Sequence, residues 1–198
     1  MQTILLPKPG PDSGCSVERA LRLRRTLREF SGAALALGEI SQLLWAAQGI
    51  TGPEGLRTAP SAGAMYPLEV YVVAGNVAGL DPGIYSYEPA GHKLAMIAQG
   101  DRRAELARAA LDQGWMARAP ALIVFAAVEA RTTGKYGQRG IGYIYLEAGH
   151  AAQNIFLQAA ALGLGGAVAG AFDEEWVAGI MDMPKDERPI YLMAVGRI

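Results

Sequence analysis

From Ala148 to Phe172 the chain carries no Asp, Glu, Lys or Arg. A run of that length reaches the thickness of a bilayer. His150, Gln153, Asn154 and Gln158 fall in its first half, however, and Gly163, Gly165, Gly166 and Gly170 interrupt its second. The run therefore reads as a deeply buried helix followed by a Gly-rich turn and a strand. A helix apolar nearly all round lies at the centre of a domain or at the centre of an oligomer.

The rest of the chain is built to match such a core. With 198 residues, 51% of them hydrophobic and 19% charged, it has the composition of an ordered globular protein. A net charge of −1 gives no basic field for nucleic acid. The single cysteine, Cys15, excludes an intrachain disulfide framework, and having two histidines, His92 and His150, argues against a His-rich metal site. The opening MQTILLPKPGPDSG lacks the basic and apolar regions of a signal peptide, so the expected location is cytoplasmic, with no membrane partner.

The periodicities divide the chain into an irregular leader over residues 1–15, with Pro7, Pro9 and Pro11, and one domain over residues 16–198. Ser16 is placed to cap a helix carrying Val17, Ala20 and Leu21. Leu37, Ile40, Leu43, Leu44 and Ala47 recur at helical spacing before Gly49. Val70–Val73 reads as a buried strand, and Ile84–Glu88 with Lys93–Ile97 as a hairpin about Pro89-Ala90-Gly91. A helix is expected from Asp101 to about Leu111, a buried strand over Ala121–Val128, and a polar glycine-containing loop over Arg131–Gly140. The long helix then runs to Leu162. Asp173 caps a further helix with Phe172 and Val177 as its staple, and Ile190–Val195 is the last strand. This succession predicts an α+β or mixed-sheet domain.

Four stretches carry possible chemistry. In RTAPSAGAMYP, Pro60, Ser61, Ala62 and Gly63 form a rigid, nearly side-chain-free loop. It is either an ordinary connection or a surface that lets backbone approach something flat or anionic. In RLRRTLREF, Arg24, Arg25, Thr26 and Arg28 offer guanidinium forks and a hydroxyl suited to a phosphate; the same cluster would also serve as a solvated helix end. In TTGKYGQRG, Lys135 and Tyr136 are either a cationic donor or base beside a proton relay, or part of an exposed loop. Glu147, His150 and Asn154 follow helical steps, and His150 reads as an interface histidine. GLGGAVAG fails as a dinucleotide fingerprint, because it follows a helix instead of opening one.

Taken in order, RRTLREF, SQLLWAAQG, RTAPSAGAMYPLEVYVVA, GIYSYEP, KYGQRG, LEAGHAAQNIFLQAAALGLGG, GAFDEE and AVGRI resemble the FMN-dependent nitroreductase superfamily, and within it the SagB-type dehydrogenase branch. The resemblance implies a central, mostly antiparallel sheet flanked by helices. It also implies an intertwined homodimer with FMN at the subunit interface. Pro60, Ser61, Ala62 and Gly63 would lie against the flavin bound mainly by the other subunit. Arg24, Arg25, Thr26 and Arg28 match the phosphate and ribityl contacts, Val168, Ala169 and Gly170 the loop that donates toward flavin N5, and Lys135 and Tyr136 the pair that azoline-oxidising members use. The resemblance departs at one point: classical nitroreductases extend past the last strand and supply basic residues to the phosphate from that tail, whereas this sequence offers only Arg197 there. The function implied is two-electron, ping-pong transfer through the flavin. Its direction is either reduction of a nitro or quinone compound by NAD(P)H or dehydrogenation of a small molecule or peptide azoline. A flavin-binding scaffold without turnover is the remaining alternative.

Overall fold

The computed structural model describes residues 2–198. Seven strands form one fully antiparallel sheet in the order β1-β6-β5-β3-β7-β9-β8. In chain order these are β1 (Thr3–Leu5), β3 (Leu68–Ala74), β5 (Gly83–Glu88), β6 (Lys93–Gln99), β7 (Ala121–Ala127), β8 (Leu164–Ala169) and β9 (Arg188–Arg197). Two short strands, β2 (Leu35–Ala36) and β4 (Val77–Ala78), pair in parallel apart from it. The helices are α1 (Val17–Leu23), α2 (Leu37–Gln48), α3 (Arg103–Ala109), α4 (Trp115–Arg118), α5 (Glu129–Tyr136), α6 (Arg139–Ala161) and α7 (Glu174–Ile180).

Both faces of the sheet are covered, which is why β7 is apolar at every position. Val70 and Val72 of β3 and Ile123 and Phe125 of β7 pack with α2 and α6. The alternate residues Tyr71, Val73, Leu122 and Val124 pack with α3, α4 and α7. The period-2 pleat sends successive side chains to opposite layers, so a strand between two helical layers has no polar face to spare. The expected caps form as well: the Ser16 side chain accepts from Arg19 N–H, and the Asp173 carboxylate accepts from Trp176 N–H at 2.9 Å.

Three expectations change. The leader is not wholly irregular, because Thr3–Leu5 pairs with Lys93–Ala95 and Leu6 N–H donates to His92 O. A strand whose partner lies about ninety residues away leaves no local signal. Of the loop expected over residues 131–140, residues 131–136 lie in the helix Glu129–Tyr136 and residues 139–140 already open α6. The chain reaches this helix through packing: Thr132 is buried, and a Cβ on Gly140 would meet the Thr132 backbone at 3.1 Å, so α5 sits directly on the start of α6. Tertiary contact of this kind overrides weak propensity. Finally, α6 is apolar all round in sequence but two-sided in the fold. Ile144, Ala148, Ala151, Ala152, Ile155, Phe156 and Ala159 face the chain's own core, while Tyr145 and Leu146 stand 48% and 60% exposed. No helix among the described residues is long and apolar enough to cross a membrane.

Candidate functional site

The small-residue loop lies between α2 and β3. Its start is tied to the end of α2: Thr58 N–H donates to Gly49 O at 2.9 Å and the Thr58 hydroxyl to Trp45 O at 3.0 Å. Its tip is one tight turn, Ala62–Ala64, with Gly63 at φ +61°. That glycine is required by its neighbours. A Cβ there would stand 2.6 Å from the Tyr136 hydroxyl and 2.8 Å from Lys135 Nζ. The fold thus brings together two stretches that the sequence kept some seventy residues apart. The last turn of α5 aims Lys135 and Tyr136 over the loop tip. The Tyr136 ring sits edge-on to Tyr143 of α6 at 5.2 Å, and Lys135 Nζ lies 5.4 Å from the Tyr136 centroid.

Beside the loop a groove of about 240 Å³ is lined by Pro60, Ser61, Ala62, Tyr143, Leu146, Glu147 and His150. Glu147 is 2% exposed, and burial pushes its carboxyl above the usual range; Ser61, Arg57 and Gln48 pull it back down by favouring the charge. Arg57 is its counterpart. Burial lowers the guanidinium's affinity for its proton, with Glu69 and Glu147 opposing the shift. Arg57 Nη1 donates to Gln48 Oε1 at 2.9 Å, and its Cζ stacks 4.4 Å from the Tyr66 centroid. Neither Arg57 nor Tyr66 was singled out from sequence, and Glu147 only as a step on a helix face. Residue spacing shows which face a side chain is on, not that a charge there is buried.

The cationic cluster lies elsewhere. After α1 ends at Leu23 the chain turns extended and runs along the edge of the sheet. Thr26 bridges Gly166 of β8 in parallel, and Leu27 N–H donates to Gly166 O at 2.9 Å. The glycines of GLGGAVAG permit this approach: a Cβ on Gly165 would stand 3.2 Å from Leu27 Cβ and 2.4 Å from Ile198 Cγ2. Gly163, at φ +70°, ends α6. The four predicted cluster residues therefore share one edge with Val168, Ala169 and Gly170, the end of β8.

Their side chains differ. Arg24 stacks on Phe156 at 5.5 Å and Arg28 on Trp115 at 5.4 Å, each with no carboxylate partner among the described residues. Arg25 folds back on the helix end, donating to Arg22 O at 2.9 Å and Arg24 O at 2.7 Å. Arg197 is engaged with α2: its Nη2 meets both Glu39 oxygens, at 2.9 and 3.1 Å, and its Nε donates to Ala34 O. An arginine beside a carboxylate has its charge already balanced.

The two groups of residues occupy opposite edges of α6. Ser61 lies by Glu147 and Arg24 by Phe156, nine positions further along the helix. At 1.5 Å per residue that is about 13 Å of rise, and at 100° per residue it is half a turn. Across a helix about 10 Å wide the separation is on the order of 17 Å.

Comparison with known proteins agrees with this architecture. The sequence profile of the Nitroreductase family matches residues 21–197. A protein of Methanocaldococcus jannaschii that carries the nitroreductase name is 44% identical over 181 residues, covering 91% of this chain and 90% of its own. A crystal structure from Ralstonia eutropha under the same name superposes with a TM-score of 0.88 at 32% identity, over all of this chain and 90% of that one. A chain of the Escherichia coli microcin synthetase complex, solved with truncated pro-MccB17 bound, is similar at a TM-score of 0.75 and 25% identity, over 98% of this chain and 77% of that one.

Proposed function

Because the chain belongs to the Nitroreductase family, and is therefore an oxidoreductase, we propose that it acts as an FMN-dependent homodimer with each flavin held between two subunits. The observation that carries this reading is the division of the site. Arg24, Thr26 and Arg28 share the β8 edge with Val168–Gly170, two to four residues beyond Gly166, or about 10 Å along a strand. One elongated phosphate-bearing group fits along that edge. The Pro60–Gly63 loop lies across α6, so it fits the flavin of a second copy. The exposed Tyr145 and Leu146 on the outer face of α6 supply apolar surface for that copy.

The residues suit FMN. Arg24 and Arg28, free of carboxylates, are available to a phosphate dianion, with the Thr26 hydroxyl as a further donor. Arg25 serves the helix end, and Arg197 stays with Glu39, so the phosphate grip rests on Arg24 and Arg28. The loop at Pro60–Gly63 presents flat backbone. The flavin supplies a two-electron, hydride-accepting centre, alternately reduced and reoxidised at one site. Around it this chain's residues exclude water, donate main-chain hydrogen bonds from Val168–Gly170, and hold or move a proton at Lys135 Nζ and the Tyr136 hydroxyl. The expected setting is cytoplasmic.

Two directions remain as readings of the same site. NAD(P)H could supply the electrons to a nitro or quinone acceptor. The convergence of Lys135 and Tyr136 on Gly63 favours the other direction, dehydrogenation of an azoline-type substrate, since removal of a hydride from carbon also requires a base for the proton. The likeness to an Escherichia coli complex holding truncated pro-MccB17 supports a peptide substrate for that reading. Mass spectrometry of heat-released cofactor tests the assignment: FMN is expected, and FAD, or no binding after reconstitution with FMN, overturns it. Rapid bleaching of the flavin by NADH or NADPH in stopped flow would favour the reductase direction.

A further inference from the structure

The segment 57–66 is strained where it is least buried. Gly63, Ala64 and Tyr66 all take left-handed backbone, at φ +61°, +55° and +46°, and two of the three carry a Cβ. Non-glycine residues stay in that region only where their surroundings over-determine it. Core burial does not do so here, because Gly63 and Ala64 are exposed. Short-range bonds contribute: Ala64 N–H donates to Ser61 O at 3.0 Å and Tyr66 N–H to Ser61 Oγ at 2.9 Å. The longer tie is the Arg57 guanidinium on the Tyr66 ring, which joins the two ends of the segment.

That tie is set in an expensive environment. Arg57 Nε, Gln48 Nε2 and Glu147 Oε1 are buried without hydrogen-bond partners, three of the five such side-chain atoms among the described residues. Unsatisfied buried polar atoms are rare, and a buried carboxyl near a half-buried guanidinium, with no direct salt bridge between them, is a poor device for stability alone. From the other side, Arg131 Nη1 donates to Tyr66 O at 3.0 Å, and Arg131 Nη2 pairs with Glu69 Oε1 at 2.6 Å. Arg131 stands one turn before Lys135 and Tyr136 on α5. One helix therefore grips the end of the segment with Arg131 and reaches its tip with Lys135 and Tyr136.

We propose that Arg57 and Tyr66 are positioning residues. The guanidinium, stacked on the ring with Glu147 as its buried counter-charge, closes residues 57–66 into a ring and holds Gly63 in the backbone over which Lys135 and Tyr136 converge. The consequence for cofactor binding rests on the reading of Pro60–Gly63 as the flavin platform. The consequence for the loop does not.

Amide hydrogen exchange on the flavin-free protein and fluorescence titration with FMN test the two consequences separately. Tyr66→Phe keeps the ring and is expected to match the wild type in both. Tyr66→Leu and Arg57→Met remove the stack; exchange at Ala64 and Tyr66, and the Kd for FMN, should each rise about tenfold, between the scales of an exposed and a desolvated cation–π contact. Arg57→Met also strands Glu147, so a fall in melting temperature is expected. The double variant Arg57→Met/Glu147→Leu should recover the melting temperature but not the exchange rates. Wild-type exchange in Tyr66→Leu would overturn the proposal. So would a double variant that restores both properties, which would make the pair merely structural. If the wild type fails to bind FMN, the cofactor reading falls, and the exchange data still decide the role of Arg57 and Tyr66.

Discussion

Replacing Gly63 by alanine tests the geometry of the site at its narrowest point. Two separate costs follow from the structure. At φ +61° an L-residue loses about 1–2 kcal/mol relative to its preferred backbone. For a domain of this size that corresponds to a fall in melting temperature of roughly 2–8 °C. The second cost is local. A methyl group at 2.6 Å from the Tyr136 hydroxyl and 2.8 Å from Lys135 Nζ cannot coexist with either. Both atoms end flexible side chains, so they will swing away and the fold will survive. Displacement by about 1 Å at a reacting centre is worth about a hundredfold in rate. Gly63→Ala should therefore melt a few degrees early and lose most of its substrate oxidation. Gly134→Ala is the matched control. Gly134 lies in α5 one residue before Lys135, with nothing within 4 Å of a new Cβ. Alanine there should stabilise the protein by about 0.5–1 kcal/mol and leave the rate unchanged. Urea denaturation and steady-state rates on both variants decide the matter. Equal rates in the two would refute the claim that Lys135 and Tyr136 work across Gly63.

Other consequences can be measured directly. Arg24→Ala and Arg28→Ala should each weaken FMN binding by roughly 1.5–3 kcal/mol, whereas Arg25→Ala, whose guanidinium caps carbonyls, should change it little; fluorescence titration of the apo-protein gives the values, and a uniform loss across all three would contradict the side-chain assignments. Burial raises the Glu147 carboxyl, so the folded state keeps a proton that the unfolded chain releases; stability is full below the ordinary glutamate range and declines as pH rises through the raised value, by at most about 1.4 kcal/mol per pH unit. Glu147→Gln cannot ionise and should flatten that decline, which parallel urea curves across the window would disprove. Leu146→Asp, on the exposed face of α6, should yield folded monomers in light scattering with poor flavin retention, and a flavin-loaded monomer would count against the shared site. Tyr136→Phe and Lys135→Ala should retain FMN but lose substrate oxidation by about 10²–10⁴-fold while sparing reduction of a nitroaromatic by NAD(P)H; equal losses in both assays would reduce the pair to shaping the pocket.

Much of the fold was legible in the order of residues because the signals were local. The period of α2, the caps at Ser16 and Asp173, the hairpin turn at Pro89–Gly91 and the unbroken apolar run of β7 each report on their own neighbourhood. The nitroreductase-like architecture and the oxidoreductase class followed from the succession of motifs. Where the determinant was distant, the sequence was silent or misleading. Thr3–Leu5 pairs as a strand with the distant edge Lys93–Ala95, and residues 131–136, expected as loop, are helical where Gly140 lets α6 come close. The same holds for the site. The sequence carried the arginines, the thin loop and the Lys-Tyr pair, since residue type alone marks what each could bind or transfer. Tertiary structure decided that Lys135 and Tyr136 meet at Gly63 and that Arg24 and Arg28 stand free while Arg25 and Arg197 are engaged. It also buried Glu147 and half-buried Arg57 beside the loop. Distance, burial and the pairing of charges are properties of packing between segments far apart in the chain, and no local pattern encodes them.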